Sequence, residues 1–338
     1  VTLVEVMAPF NYLTCRQIGE IVRCFSMGEE LVRAAALLFC RAADLEDNID
    51  ALTSAMQERD IHALHEELGY YSYCRFSNPT GHYELNFTTP VHQALATRLK
   101  DVAFSEPSSG DNWLNIIHDT YTAVTKTPSN YGPPEAWKGQ TPMRGTLSFD
   151  FVSSAPLDEH AVAISDEELV DFLHHCIGVA FDDRGSPLPD TDFSEADLQV
   201  ALLRQEVGHQ FSFTCAQVRR VMDCFLAGPH KVEVAVMLYA LVSDRKAWWT
   251  VPYSLRACEQ ALLCWRLGPA NVFDRAHPSG HYVLDLSHPS HEQVARKLVE
   301  VAAQNPDLPN FWNIRLQGGK KNIVENRNMW GTFTAESF

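Results

Sequence analysis

One pattern is written twice in this chain, over residues 14–146 and again over 214–332, and that duplication limits what it can fold into. Thr14, Cys15 and Gln17 fall on Thr214, Cys215 and Gln217 at an offset of 200, as do Cys24, Phe25 and Asp44 on Cys224, Phe225 and Asp244. Leu68, Gly69, Gly81, His82, Tyr83, Pro90, His92 and Trp113 match Leu267, Gly268, Gly280, His281, Tyr282, Pro289, His291 and Trp312 at 199. Gly145 and Thr146 match Gly331 and Thr332 at 186, so the second copy has lost 13 residues from the loop before them. A register kept over this length marks two copies of one supersecondary unit.

Each copy carries the same physical signals in the same order. Thr14 to Gln17 and Thr214 to Gln217 are Thr-x-x-Gln capping boxes, which satisfy free N–H groups at a helix start. Ile18, Ile21, Val22 and Phe25 then recur with helical spacing, and Val218, Val221, Met222 and Phe225 repeat the stripe. A second helix follows in each copy, ended by Asp44 or Asp244, which is expected to begin the next turn. A third helix runs to Gly69 or Gly268, where glycine suits the position just past a helix end. The period then changes to two. Tyr83, Leu85 and Phe87 alternate with His82, Glu84 and Asn86, and Tyr282, Leu284 and Leu286 with His281, Val283 and Asp285. Pro90 and Pro289 open another helix near its first position. Leu147, Phe149 and Phe151 mark a last strand over 145–152, and 331–338 starts the same strand but stops short, which reads as a truncated C-terminus.

The expected fold is α+β and predominantly helical, in two tandem copies of a helical array plus a small β-α-β element. Unit one is 1–153, with helices over 14–69 and β-α-β over 81–153. Unit two is 208–338, with helices over 214–268 and β-α-β over 280–338. Between them, 154–207 is an acidic helical connector with helix starts at Ser165 and Ser194. It holds 13 acids against 2 bases, most of the chain's net charge of −16. That balance excludes general nucleic-acid binding, which needs a basic footprint.

No apolar run approaches the ~18–20 residues of a membrane span. The first ten residues show no basic n-region and no small-residue cleavage site, so no secretory signal is read there. With no initiator Met, the chain reads as processed or as part of something longer. Nine cysteines without a C-x-x-C, mostly among apolar residues, predict reduced thiols in an intracellular, cytoplasmic protein.

The helical half of each copy resembles a family of short helical domains of unknown function, found in bacterial proteins and in a proline/serine-rich animal protein. The residues that carry the resemblance are Thr14, Gln17, Phe25-Ser26-Met27, the 34–38 run and Asp44, matched in 213–244 except at Leu226 and Ala227. The Gly-His-Tyr portion is similar to segments of large multi-repeat proteins of protists. The first resemblance implies a helical fold and no activity. The second implies a cytoskeletal or ciliary assembly.

Candidate chemistry is sparse. His82 and His92 recur as His281 and His291, and histidine is a common metal ligand. No carboxylate or cysteine cluster at metal-ligand spacing accompanies them, so a duplicated metal or small-ligand site is the alternative reading and local hydrogen bonding the favoured one. There is no G-x-S-x-G, no Walker loop and no G-x-G-x-x-G, and no cofactor is expected. Adjacent Trp248 and Trp249 cannot both face one helix core, so at least one is expected at an interface, either between the repeats or with a partner. Arg315, Lys320, Lys321 and Arg327 predict an exposed basic loop suited to an acidic surface, such as a neighbour resembling 154–207. The expected function is that of a non-enzymatic scaffold contacting other proteins of a larger assembly, without nucleic acid or membrane.

Overall fold

The computed structural model describes residues 2–8, 11–26, 28–106, 112–119, 145–155, 157, 161–178, 180–181, 187–188, 193–207, 211–226, 228–280, 282, 284, 286, 289–304 and 310–311. The fold is α+β and predominantly helical. It comprises two compact units, Val1–Arg245 and Lys246–Phe338. This boundary differs from the repeat boundaries expected at 153 and 207, because it falls inside the second copy, after its first two helices.

The first unit opens with α1 (Thr2–Met7), α2 (Cys15–Val22), α3 (Glu29–Phe39), α4 (Leu45–Thr53) and α5 (Glu58–Leu68). Thr14 caps α2 through the Gln17 N–H, and the Gln17 side chain returns the bond to the Thr14 N–H. Cys15 N also donates to Asp44 Oδ1 at 2.6 Å, so the carboxylate satisfies a first-turn donor from 29 residues away. Helix α5 ends at Gly69, whose φ of 55° is a conformation that glycine adopts without steric cost.

Strand β1 (Gly81–Asn86), α6 (Pro90–Ser105), β2 (Trp113–Asp119) and β3 (Thr146–Phe151) follow. The strands form an antiparallel sheet in the order β1-β3-β2, with Tyr83 opposite Phe149 and His82 opposite Asp150. Tyr83, Leu85, Phe87, Trp113, Leu147, Phe149 and Phe151 are all buried on its inner side. The Trp113 ring lies 4.4 Å from Phe149, and Phe149 lies 5.3 Å from Tyr83. Val91, Leu95, Ala96 and Leu99 of α6 belong to the same core. Each of the larger aliphatic side chains and phenylalanines contributes about 1.5–3 kcal/mol by leaving water. At the end of α6, buried Glu106 accepts from Asn112 Nδ2, Ser153 Oγ and Ser154 N, which ties the helix to the strand exits.

The connector holds β4 (Val162–Ala163), α7 (Asp166–Ile177), β5 (Ala180–Phe181), β6 (Pro187–Leu188) and α8 (Phe193–Glu206). Helix α7 starts after Ser165 as the sequence predicts, and Ser165 caps it in a capping box with Glu168. β4 pairs in parallel with β7 (Phe211–Ser212), which leads into α9 (Cys215–Asp223) and α10 (Pro229–Leu238).

The local geometry of α2–α3 recurs in α9–α10. Thr214 and Gln217 make the same capping box, and Cys215 N donates to Asp244 Oδ1 at 2.7 Å. Leu13 and Ala42 form an isolated parallel bridge, as do Phe213 and Val242.

The second unit contains α11 (Thr250–Tyr253), α12 (Ala257–Leu267), α13 (Pro269–Val272) and α14 (Pro289–Ala303). The strand expected over 280–286 does not form at its described residues: Gly280, Tyr282, Leu284 and Leu286 have no strand conformation. Alternation prepares a strand, but a strand also needs a hydrogen-bonded neighbour. Before it, the turn is kept in both copies, with Tyr83 Oη donating to Pro79 O at 2.7 Å and Tyr282 Oη to Pro278 O at 3.1 Å. The partner strand expected at 331–338 lies outside the described residues.

Candidate functional site

On β1 and β3 the outward face of the sheet is polar, while β2 sets Leu114 opposite Asp150 and the exposed Ile117 opposite Ser148. His82, Glu84 and Asn86 alternate outward on β1, and Ser148 and Asp150 occupy the same face of β3. His82 Nδ1 lies 3.1 Å from Asp150 Oδ1, and Ser148 Oγ lies 3.3 Å from His82 Nε2. The other carboxylate oxygen of Asp150 accepts from Asn115 Nδ2 at 2.8 Å. The imidazole is 46% exposed and the Asp150 side chain 3%, so a buried carboxylate supports a solvent-facing ring.

Asn115 comes from a break in the β2 ladder, where the register slips between Leu114 and Ile117. It has φ 54°, the one non-glycine residue with positive φ among those described. Asn tolerates this conformation better than most residues, and bulges of this kind re-aim side chains.

His92, the second histidine of the first copy, does not join His82. Its Nδ1 accepts from Asn86 N at 2.8 Å and its ring stands edge-on to Tyr71 at 4.9 Å. Burial holds its pKa below the usual histidine value. Each of the two rings therefore uses a nitrogen on a protein partner, and no group of three or more His, Cys, Asp or Glu could hold a metal among the described residues. His291 is half-buried on α14, and His281 lies outside the described residues.

The two tryptophans separate cleanly. Trp248 is buried and offers no exposed contact surface, which leaves Trp249 as the partly exposed member of the pair. Trp249 stacks on the exposed His277 ring at 3.9 Å and meets Tyr253 edge-on at 5.5 Å. With Tyr282 these rings line a shallow aromatic recess of the second unit. Tyr253 Oη donates to Ser279 O and fixes one wall. On α12, Cys258, Leu262 and Trp265 share one exposed stripe. Arg315, Lys320, Lys321 and Arg327 lie outside the described residues.

Cysteine nucleophiles find no support at the buried sites. Burial pushes the Cys15, Cys40, Cys215 and Cys224 thiols up to about 12, so each is protonated at neutral pH. At Cys15 and Cys215 the carboxylates of Asp44 and Asp244 push in the same direction.

The sequence places His82 on a polar strand face, but Ser148 and Asp150 stand 66 and 68 residues away and meet it only through strand pairing. The signal was present in two alternations. Both strands put polar residues at even numbers, and antiparallel pairing in the observed register stacks them on one face. Compared with known proteins, the chain matches no family model, no curated protein and no solved structure.

Proposed function

We propose that the chain is a scaffold, made from two copies of one unit, that holds other proteins of a larger intracellular assembly of cytoskeletal or ciliary type. The observation that carries this reading is the aromatic recess of Trp249, Tyr253, His277 and Tyr282 in the second unit. Large aromatic rings that are partly exposed and held in fixed orientations are the anchors protein interfaces use, because they bury area at little entropic cost. Leu262 and Trp265 add exposed apolar area at 37% and 38% exposure. No helix among the described residues is long and apolar enough to cross a membrane.

Duplication supports the same reading. The Thr capping box, the Asp44 or Asp244 carboxylate on the first helical N–H, and the isolated bridge all recur between copies. What recurs this closely is the framework of the helical array, which suits a role in architecture. The acidic run 154–207 and the basic run 315–327 are complementary in sequence and suit chain-to-chain contact.

Photo-crosslinking in the native complex tests the proposal, with the reactive group at position 262 or, as control, at exposed Glu58. A discrete adduct from 262 that disappears in Trp249→Ser, with the protein still folded, is the expected result. Equal or absent crosslinking from both positions would count against it.

A further inference from the structure

The hydrogen-bonded set on the outer sheet face has an arrangement that scaffolding does not require. We propose that Ser148, His82 and Asp150 form a nucleophilic triad that transfers acyl groups from neutral carboxylic esters. The inference goes beyond the scaffold reading and does not rest on it.

Three relations mark an activated nucleophile: a nucleophile in contact with a base, the base in contact with an orienting group, and the orienting group itself held. All three are present. Ser148 Oγ faces His82 Nε2 at 3.3 Å, His82 Nδ1 faces Asp150 Oδ1 at 3.1 Å, and Asn115 Nδ2 holds Asp150 Oδ2 at 2.8 Å. With the ring proton on Nδ1, that nitrogen donates to the Asp150 carboxylate. The Nε2 lone pair then points at the serine hydroxyl, which is the tautomer a general base needs.

Two further features separate this set from ordinary cross-strand polar pairs. Asp150 lies on the solvent side of the sheet yet is 2% exposed, so its carboxylate is turned toward protein partners, His82 and Asn115 among them, rather than toward water. Asn115 reaches it only through the slipped ladder and a φ of 54°. Backbone conformations of this kind persist where the surrounding structure enforces them, and they gather at functional sites. In the sequence, the second copy keeps a hydroxyl, a histidine and a carboxylate at the matching positions, Thr334, His281 and Glu336.

The substrate class follows from charge. Glu84 stands opposite Ser148 in the strand register and is exposed on the same face. A second carboxylate beside the nucleophile repels phosphate esters and other anions. A neutral carboxylic ester meets no such repulsion.

The steps balance without a cofactor. Ser148 Oγ bonds to the ester carbonyl carbon as its proton passes to His82 Nε2. The carbonyl carbon then loses the alcohol oxygen, which leaves with the proton from Nε2, and the acyl group stays on Ser148. Water attacks the acyl carbon while giving a proton to Nε2. The acyl–Oγ bond breaks, Oγ recovers that proton, and carboxylic acid departs. Asp150 takes no proton in any of these steps and acts with Asn115 as a positioning residue. The 3.3 Å contact between Ser148 and His82 is long for a strong hydrogen bond, so turnover is expected to be slow and acylation easier to detect than hydrolysis.

The test uses the full chain with a neutral alkyl fluorophosphonate, which stays bonded to an activated serine, and p-nitrophenyl acetate as ester. The expected result is one adduct per chain, mapped to Ser148 by peptide mass and absent from Ser148→Ala. His82→Ala should slow labelling by about 10²–10⁴-fold, the usual contribution of a general base. Added imidazole should restore part of that rate in His82→Ala and none in Ser148→Ala, a response that a merely structural histidine would not give. Asp150→Asn should slow labelling while leaving the p-nitrophenyl acetate concentration at half-maximal rate nearly unchanged. Labelling spread over lysines and tyrosines, labelling at Ser148 indifferent to His82, or no labelling by a protein with intact near-ultraviolet circular dichroism would each overturn the proposal. Loss of the scaffold's crosslinked partner would leave these results unchanged, so the two readings fail separately.

Discussion

Gly81 and Gly280 are the same letter in the same motif, yet they stand in different surroundings. A Cβ on Gly81 would overlap Arg204 Nη2 and lie 2.7 Å from Arg204 Cζ. That guanidinium is buried and pairs with Glu233 at 2.6 Å, so it has little room to yield. A Cβ on Gly280 would meet nothing closer than the Tyr282 ring at 3.5 Å, an ordinary contact. Gly81→Ala should therefore cost at least the ~1–3 kcal/mol of core overpacking. Gly280→Ala, at an exposed position, should stay within about 0.5 kcal/mol of wild type. Urea unfolding of the two variants side by side checks the contrast, and equal costs would refute it. The repeated motif shows that both copies need a turn here. It does not show that one glycine is also a clearance for an arginine 123 positions further on.

At the scale of elements, legibility follows the range of the interaction. The Thr-x-x-Gln boxes close within four residues, so the amino-acid letters alone are enough to place them at Thr14 and Thr214. Strand alternation in 81–87 and 145–152 is equally plain, and both strands form. Asp44 and Asp244 read as local punctuation, but each reaches back across 29 residues to the first helical N–H of an earlier helix. The Ser148–His82–Asp150 set needs strand pairing and register, which one strand's period does not supply. The two aspartates make a paired prediction. A hydrogen bond to a charged acceptor contributes about 1.5–3 kcal/mol, so Asp44→Ala and Asp244→Ala should each lose that much. Amide exchange at Cys15 and Cys215 reports it directly: each amide should lose protection only in the variant that removes its own aspartate. A variant that left its amide protected would show that the carboxylate is not the cap.

For the whole molecule, the repeat in the sequence is not the compact unit of the structure. Three contacts explain why 1–245 holds together across both copies. Asn78 Nδ2, just before β1, donates to Met237 O of α10 at 2.9 Å. Arg75 donates to Gln205 O of α8. Arg204 of α8 lies against Gly81 and pairs with Glu233 of α10. The connector helix thus sits where the first copy's sheet joint meets the second copy's helix. A long-range docking of this kind leaves no periodic trace, because each partner looks like an ordinary polar residue in its own segment. Removing one partner of a buried ion pair costs about 3–5 kcal/mol, most of it from the charge left behind. Glu233→Ala should thus destabilise more than its own helix. Hydrogen exchange on the full chain should show Gly81–Asn86 and Pro229–Leu238 losing protection together, while Ala257–Leu267 in the other unit keeps it. If the loss stayed within Pro229–Leu238, the two copies would be opening independently. The repeat boundary would then describe the molecule's stability better than the boundary after Arg245.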